Sequence, residues 1–200
     1  MDTPKNIKIA IFGGGCFWCT EAVFSAIGGS AYGGKTLSGI ISVTSGYAGG
    51  NPPAGGENPT YEEVSGGKTG HAEVIRIEYD LGIISYKDLL AVFFATHDPT
   101  TLNRQGNDEG TQYRSIILST DEMQKQEAEG FIRELNASSA EGAPIVTEVK
   151  QLDKFYEAEQ YHKDYYQNNP QNSYCQVVIA PKVLKAQHRF TELLKEQNVK

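Results

Sequence analysis

The hydrophobic pattern of the chain alternates between strand-like and helix-like segments. Apolar residues recur at every second position from Ile7 to Ile11, which is typical of a strand. They then recur at intervals of three and four from Cys16 to Ile27, which is typical of a helix. Three glycines, Gly13 to Gly15, separate the two segments. The sequence therefore predicts a strand, a tight turn and a helix, with Cys16 at the turn and the free N–H groups of the helix end against its sulfur.

The rest of the chain continues this alternation. Further strands are predicted at Gly39 to Tyr47, Ala72 to Tyr79, Tyr113 to Leu118, Ile145 to Val149 and Gln176 to Ala180. Further helices are predicted after Ser85, after Thr120 and over Val183 to Lys195. Strands and helices alternate without repeats, which favours one layered α/β or α+β domain. Glycine and proline are dense between Gly28 and Gly70, so we expect a long ordered loop region there.

Composition changes this picture mainly by what it excludes. The chain has 200 residues, 39% hydrophobic and 22% charged, and its 18 basic and 25 acidic side chains give a formal net charge of −7. The acidic balance argues against nucleic-acid binding, because such proteins neutralise phosphates with clustered Lys and Arg. The longest apolar run, Leu89 to Ala95, is too short to cross a membrane. We therefore expect neither nucleic acid nor a membrane as a partner.

The N-terminus and the cysteines indicate a reducing compartment. The first residues lack the basic start and apolar stretch of a secretory signal, so the sequence predicts a cytoplasmic protein. Three cysteines, an odd number, more often serve chemistry or metal binding than structure in such a compartment. The cysteines are therefore the first candidates for function.

The residues around Cys16 allow two kinds of cysteine chemistry and exclude a nucleotide site. The dinucleotide fingerprint fails because position 18 is Trp, and no phosphate-loop Gly-Lys-Ser/Thr follows the glycines. Cys16 and Cys19 have the spacing of a redox dithiol, which fits a general dithiol–disulfide oxidoreductase. The same pair is half a zinc site, and a zinc-stabilised binding module would need Cys175 and one histidine from His71, His97, His162 and His188.

Five motifs, in order along the chain, resemble a single enzyme family. They are Gly15-Cys16-Phe17-Trp18, Gly46-Tyr47-Ala48-Gly49-Gly50, Asn58-Pro59-Thr60-Tyr61, Gly70-His71-Ala72-Glu73, and Gln105-Gly106-Asn107-Asp108 with Gly110-Thr111-Gln112-Tyr113-Arg114. Together they resemble the peptide methionine sulfoxide reductases of the A type. The resemblance implies an α+β fold, a two-layer ferredoxin-like sandwich with a mixed sheet and long ordered loops. We expect one domain over residues 1–200, loop-rich from about residue 150 onward.

The resemblance also implies an activity and its partners. The reaction would be thiol-dependent reduction of methionine-S-sulfoxide, free or in proteins, and hence repair of oxidised proteins. It would need no bound cofactor or metal, and thioredoxin or a small dithiol would supply electrons to a monomer. Matching motif to motif, the resemblance makes Cys16 the nucleophile, Glu73 the acid, Tyr61 and Tyr113 hydrogen-bond donors, Asp108 a supporting carboxylate, and Phe17 and Trp18 an apolar wall.

These residue types suit sulfoxide chemistry. A sulfoxide sulfur is a poor electrophile until its oxygen gains a proton or strong hydrogen bonds, so an acid must face a thiolate across the substrate. Glu73 then has to be neutral at pH 7, which confinement beside Phe17 and Trp18 would favour by desolvation. A helix end lowers the pKa of a thiol by only about one unit, so Cys16 needs a further donor or the substrate to be activated.

A second thiol must condense with the sulfenic acid that forms on Cys16. Cys175 matches a resolving position in the C-terminal segment of the family and is ranked first. Cys19 stands where many relatives carry glycine, and is interpreted as a relay thiol or as the direct resolver. His71 is interpreted as a hydrogen-bonded structural residue. Two segments longer than the usual loops of the family, Ser30 to Ser38 and Asn51 to Glu57, are candidates for tuning peptide access.

Overall fold

The fold is known from a computed structural model that describes residues 6–28, 39–51, 58–138 and 142–197. The two long loops for which a role in peptide access is predicted lie outside these residues, apart from Asn51. The strands are β1 (Ile7–Gly14), β2 (Ile40–Ala48), β3 (Ala72–Asp80), β4 (Arg104–Gln105), β5 (Asp108–Glu109), β6 (Ser115–Ser119), β7 (Glu148–Gln151) and β8 (Phe155–Glu157). The α-helices are α1 (Phe17–Gly28), α2 (Tyr61–Ser65), α3 (Tyr86–Thr96), α4 (Glu122–Ser138), α5 (Tyr165–Asn168) and α6 (Ala180–Gln197).

Six strands form one mixed sheet in the order β7-β6-β1-β3-β2-β8, while β4 and β5 pair separately. Neighbouring strands of the sheet are antiparallel, except that β6 and β7 are parallel. The central strand β1 pairs with β3 from Ile7 to Phe12 and with β6 from Ile11 to Gly14. This arrangement of helices and strands is the α+β fold expected from the sequence. None of the helices in the described part of the chain combines the length and hydropathy needed to span a bilayer.

Both faces of the central strand β1 are buried, which explains why consecutive residues from Ala10 to Phe12 are apolar. Successive side chains of a strand point to opposite faces, so Ala10 and Phe12 lie in one apolar cluster and Ile11 in another. The larger cluster lies between the sheet and the helices, where Phe12 stacks on Phe93 of α3 with ring centroids 4.9 Å apart. Helix α3 begins where expected, because Ser85 and Asp88 form a capping box at its first turn.

The strand predicted over Gln176 to Ala180 is wrong. The residues Cys175–Ile179 form a π-helical turn that leads directly into α6. Cys175 and Ile179, four positions apart, are fully buried, whereas Val177 between them is 73% exposed. A short apolar run does not by itself distinguish a strand from a helix. Packing of one face of this turn against α1 decides the outcome.

The predicted loop region between Gly28 and Gly70 is tied to the sheet by the buried side chain of Arg114. The guanidinium donates hydrogen bonds to the carbonyl oxygens of Gly49 (3.3 Å), Gly70 (3.0 Å) and Thr111 (2.8 Å). It also forms an ion pair with Glu148 at 3.3 Å. Since Gly49 and Gly70 bracket the segment that contains α2, Arg114 fixes both ends of that segment.

We expect Arg114→Lys to lower the free energy of unfolding by about 1–3 kcal/mol, because one ammonium group leaves buried carbonyl oxygens without partners. Arg76→Lys is a matched control, since Arg76 pairs with Glu78 at a partly exposed position where the loss is below about 1 kcal/mol. Urea unfolding measures both variants. Equal losses in the two variants would contradict the role assigned to Arg114.

Candidate functional site

Cys16 lies at the sharp turn between β1 and α1. Gly15 has a φ of +92°, and a Cβ atom there would lie 2.5 Å from the side chain of Gln105, so the position requires glycine. The carbonyl of Cys16 accepts hydrogen bonds from the N–H groups of Cys19 (3.0 Å) and Thr20 (3.4 Å), which starts the helix. The half-buried thiol of Cys16 therefore lies at the N-terminal end of α1, as predicted.

Glu73, on β3, reaches the same helix end. Its side chain is 2% exposed, and Oε2 accepts a hydrogen bond from the backbone N–H of Phe17 at 3.0 Å. The sequence predicts that the free N–H groups of this helix end face the Cys16 sulfur, but the first of them binds the carboxyl of Glu73. Burial raises the pKa of Glu73 to about 8 in spite of this hydrogen bond, with a further contribution from Asp108. The carboxyl is therefore mainly protonated at pH 7.

The thiols of Cys16 and Cys19 interact directly. The hydrogen bond between them is the largest cause that lowers the pKa of Cys19, to about 6, and raises the pKa of Cys16. Lys182, which lines the same small cavity as Cys19, and the hydroxyl of Tyr174 lower the pKa of Cys19 further. The pair therefore gives up its first proton more readily than an isolated cysteine does, and it holds the second proton more tightly.

Two phenols and one further carboxylate interact electrostatically with Glu73. Tyr61 is the first residue of α2, Tyr113 ends a 3-10 turn over Thr111–Tyr113, and Asp108 lies on β5. Burial, followed by the charge of Glu73, raises the pKa of both tyrosines, and Cys16 and Asp108 act on both in the same direction. Both hydroxyls therefore stay protonated and able to donate hydrogen bonds at physiological pH.

The predicted apolar wall divides into a buried and a half-buried part. Phe17 is 1% exposed and packs against Tyr47, with ring centroids 5.7 Å apart. Trp18 is half-buried, and its indole stacks on Tyr165 at 3.6 Å with an interplanar angle of 5°. Tyr174 meets the indole edge-on, at 6.1 Å and 73°. Trp18 is thus partly exposed, and its indole packs between the rings of Tyr165 and Tyr174.

The structure adds Tyr174, which sequence analysis did not single out. Its hydroxyl lies 3.6 Å from Sγ of Cys19 and 3.5 Å from Oδ2 of Asp108. Its neighbour Cys175 is fully buried in the π-helical turn. Tyr174, the residue that precedes this turn, therefore contacts the thiol of Cys19. Its position beside a candidate resolving cysteine was the only sequence signal available.

Glu159 is a second residue that sequence analysis missed. Its carboxylate accepts hydrogen bonds from the hydroxyl of Tyr47 (2.8 Å) and from the backbone N–H of Tyr61 (2.9 Å). It thereby fixes the first residue of α2, which carries one of the predicted donors. No local pattern marks Glu159, because its partners lie 112 and 98 positions away.

The histidines are held by hydrogen bonds within the fold. The Nδ1 atom of His71 accepts from the N–H of Gly50 at 3.1 Å and its Nε2 lies 2.9 Å from the carbonyl oxygen of Asn51, as expected for a structural residue. Nδ1 of His162 accepts a hydrogen bond from Trp18 at 3.1 Å. Within the residues that the structure describes, no three His, Cys, Asp or Glu side chains form a group able to hold a metal ion.

Comparison with known proteins identifies what the chain is similar to. A family model described as "Peptide methionine sulfoxide reductase" matches residues 8–194. Peptide methionine sulfoxide reductase MsrA of Saccharolobus solfataricus is 51% identical over 94% of this chain and 98% of its own length. Reduced Mxr1 of Saccharomyces cerevisiae superposes with a TM-score of 0.76 at 33% identity, over 87% of this chain and 91% of its own. Mxr1 in complex with Trx2 superposes with a TM-score of 0.54 at 23% identity, over 82% of this chain and 87% of its own.

The raised pKa of Glu73 predicts how stability depends on pH. Between the ordinary value of 4.5 and about 8, the folded protein keeps a proton on Glu73 that the unfolded chain has lost, so the contribution of Glu73 to the free energy of unfolding falls as pH rises, whereas the lowered pKa of Cys19 acts in the opposite direction. We expect Glu73→Gln to remove about 1 kcal/mol of this fall between pH 7 and 8.

Urea unfolding at pH 5, 6, 7 and 8 measures this dependence. Glu21→Gln is the matched control. Burial raises the pKa of Glu21 only to about 7, so most of the effect of Glu21 on the free energy of unfolding occurs at lower pH. If wild-type and Glu73→Gln proteins lose equal stability between pH 7 and 8, Glu73 is not protonated in the folded state.

Proposed function

The chain belongs to the peptide methionine sulfoxide reductase family, and we propose that its Cys16 reduces methionine-S-sulfoxide, free or in proteins, with Glu73 as the proton donor. The observation that carries this proposal is the position of Glu73. A buried, protonated carboxyl is bonded to the backbone N–H of the residue that follows Cys16. An acid and a sulfur nucleophile therefore meet at one helix end, as sulfoxide reduction requires.

The thiol pair supplies the nucleophile. In this proposal the Cys19 sulfur, whose pKa is lowered, accepts the proton of Cys16 as the Cys16 sulfur forms a bond to the sulfoxide sulfur. Glu73 transfers its proton to the sulfoxide oxygen, which Tyr61 and Tyr113 hold by hydrogen bonds. The hydroxyl group then passes from the substrate sulfur to the Cys16 sulfur: its bond to the substrate sulfur and the bond between the two sulfurs break, a bond between oxygen and Cys16 forms, and methionine leaves behind a Cys16 sulfenic acid. Glu73 then regains a proton from solvent.

The preference for one epimer follows from the fixed arrangement of three groups. Cys16 approaches the sulfur, Glu73 and the phenols bind the oxygen, and the half-buried indole of Trp18 contacts the methyl group. These three directions around a pyramidal sulfur accept only one handedness. We assign the S epimer to this site on the family resemblance of the five motifs.

Resolution of the sulfenic acid involves Cys19 and Cys175. The sulfenic acid condenses with a thiol to give a disulfide and water. The sequence ranks Cys175 first, but the interaction of the Cys19 thiol with Cys16 favours Cys19. We therefore propose that Cys19 forms the first disulfide and that Cys175 enters afterwards by thiol–disulfide exchange.

We also propose the reductant, the core topology, the oligomeric state, the location and the biological role of the protein. Thioredoxin or a small dithiol reduces the disulfide, a role supported by the complex of the yeast relative with Trx2. A ferredoxin-like core is supported by the chain order β1-α1-β2-β3-α3-β6 and by the sheet order β6-β1-β3-β2. One domain over residues 1–200, a cytoplasmic monomer and the repair of oxidised proteins complete the proposal.

We expect Cys16→Ser to abolish methionine formation and Glu73→Gln to slow the reductase step by about 10²- to 10⁴-fold, the usual contribution of a general acid. The measurement is a coupled assay with each sulfoxide epimer, thioredoxin and its reductase. Glu78→Gln, on the same strand as Glu73, is the control and should keep wild-type rates. Full activity of Cys16→Ser would overturn the proposal, and reduction of insulin disulfides with no turnover of either epimer would favour a general dithiol–disulfide oxidoreductase.

The order of resolution is tested by Cys19→Ser and Cys175→Ser. We expect both variants to form one equivalent of methionine in a single turnover, because Cys16 is intact. With thioredoxin, Cys175→Ser should accumulate a Cys16–Cys19 disulfide that mass spectrometry detects, while Cys19→Ser should lose at least tenfold in turnover. A Cys16–Cys175 disulfide that forms at the wild-type rate in Cys19→Ser would restore the ranking from the sequence.

A further inference from the structure

The buried face of α6 contains a lysine. Ile179, Val183 and Ala186 follow one another at intervals of four and three positions and are at most 4% exposed, so they mark the face of the helix that packs into the core. Lys182 lies three positions after Ile179 and four before Ala186, which places it on the same face. Its side chain is half-buried. An ammonium group at such a position is costly unless a partner compensates for the lost water.

Lys182 forms no ion pair with a carboxylate of the residues that the structure describes. The ion pairs within that part of the chain all involve other side chains. Lys182 instead lines a small cavity together with Cys19, between residues of α1, α3 and α6. Among the side chains that line this cavity, only the thiol of Cys19 can become an anion. A half-buried cation and a buried thiol therefore share one space.

The third ionisable residue of this cavity, His97, adds no charge near neutral pH. Burial lowers its pKa to about 4. Its Nδ1 atom donates a hydrogen bond to the carbonyl oxygen of Phe93 at 2.6 Å, and its Nε2 atom accepts one from the hydroxyl of Ser115 at 2.8 Å. Both nitrogens are thus used within the fold. The charge of Lys182 is therefore the only positive charge in the walls of the cavity.

We propose that the ammonium group of Lys182 is the counter-ion of the Cys19 thiolate and thereby activates the thiol that resolves the Cys16 sulfenic acid. The proposal rests on the proposed function, in that it takes Cys19 as the first resolving thiol. It goes beyond that function by assigning a role to α6, which carries none of the predicted site residues. Lys182 is a positioning residue in this role, because it acts through Cys19 and not on the substrate.

The step that Lys182 assists is the condensation of two sulfurs. The Cys19 thiolate attacks the sulfur of the Cys16 sulfenic acid, so a bond between the two sulfurs forms and the bond between Cys16 and its oxygen breaks. The oxygen leaves as water, with its own hydrogen and one proton from solvent. Since the thiolate and not the thiol is the nucleophile, the rate depends on the ionised fraction of Cys19 and on its nucleophilicity.

Lys182 matters most after Cys16 has been oxidised. In the reduced protein the hydrogen bond with Cys16 is the largest influence that lowers the pKa of Cys19, and the charge of Lys182 is the next. The thiol of Cys16 no longer exists in the sulfenic acid, whereas the charge of Lys182 does not depend on the oxidation state of Cys16. The other titratable groups that interact with Cys19 are Glu73, Asp108, Tyr174 and Cys175.

Titration of Cys19 in isolation tests the contact. In protein that carries Cys16→Ser and Cys175→Ser, Cys19 is the only cysteine left, and the ultraviolet absorbance of the thiolate follows its ionisation. We expect Lys182→Gln to raise the pKa of Cys19 by about one unit, the usual effect of removing a nearby opposite charge, and Lys182→Arg to preserve it. An unchanged pKa in Lys182→Gln would overturn the proposal.

Lys185→Gln is the matched control for this titration. Lys185 is exposed on the same helix, and its charge acts on His97 but is not among the main influences on Cys19. We expect Lys185→Gln to leave the pKa of Cys19 unchanged. A shift as large as that in Lys182→Gln would show that the general charge of α6 acts on the thiol, which contradicts a specific counter-ion.

The pH dependence of disulfide formation tests the consequence for resolution. Cys175→Ser protein is mixed with a methionine-S-sulfoxide peptide and quenched with acid, and mass spectrometry counts the methionine and the Cys16–Cys19 disulfide. Below the pKa of Cys19 we expect Lys182→Gln to slow disulfide formation about threefold, because a roughly tenfold loss of thiolate is partly offset by the higher nucleophilicity of a more basic thiol. Above this pKa the order of the two rates should reverse.

The outcomes separate this proposal from the proposed function. A rate that Lys182→Gln lowers by the same factor at every pH reflects a structural effect and overturns the role of Lys182, and urea unfolding checks that each variant is folded. Methionine formation without a Cys16–Cys19 disulfide in the protein that retains Lys182 overturns its role in resolution. Failure of methionine formation bears on the proposed function alone, because the titration of Cys19 needs no turnover.

Discussion

The site depends on the hydrogen bond from the backbone N–H of Phe17 to the buried carboxyl of Glu73. It joins the first residue of α1 to β3, and so sets the position of Cys16 relative to the acid. The free N–H groups of a helix end attract negative charge, yet here the nearest one binds a carboxyl that burial keeps protonated. The same bond therefore orients the carboxyl that we propose as the proton donor.

The proposed mechanism uses Cys19 to activate the Cys16 thiol because the effect of the helix end alone is too small. A helix end contributes about one pK unit, which leaves most of a buried thiol protonated. The interaction with Cys16, the charge of Lys182 and the hydroxyl of Tyr174 lower the pKa of Cys19, which suits the proposed role of Cys19 as the base for Cys16. In the proposed mechanism, the nucleophile, its base and the first resolving thiol therefore lie within one helical turn.

The C-terminal segment from Glu159 to Tyr174 holds several residues of this centre in place. Glu159 holds the start of α2, His162 and Tyr165 hold the indole of Trp18, and Tyr174 contacts Cys19 and Asp108. These contacts come from short turns and not from the main sheet. Shifting this segment would therefore change several site contacts at once while leaving the pairing of the sheet strands intact.

The sequence by itself determined the features that act over a few residues. Periodicity marked β1, α1 and β3, the Ser85 and Asp88 pair marked the start of α3, and the glycines marked the turn at Cys16. Tertiary structure decided the rest: the partner of the Phe17 N–H lies 56 positions away, and that of Trp18 lies 144 away. It also turned the apolar run after Cys175 into a helix, because burial of Ile179 against α1 outweighs an ambiguous local pattern. Contacts between distant segments arise from packing, which short-range patterns do not encode.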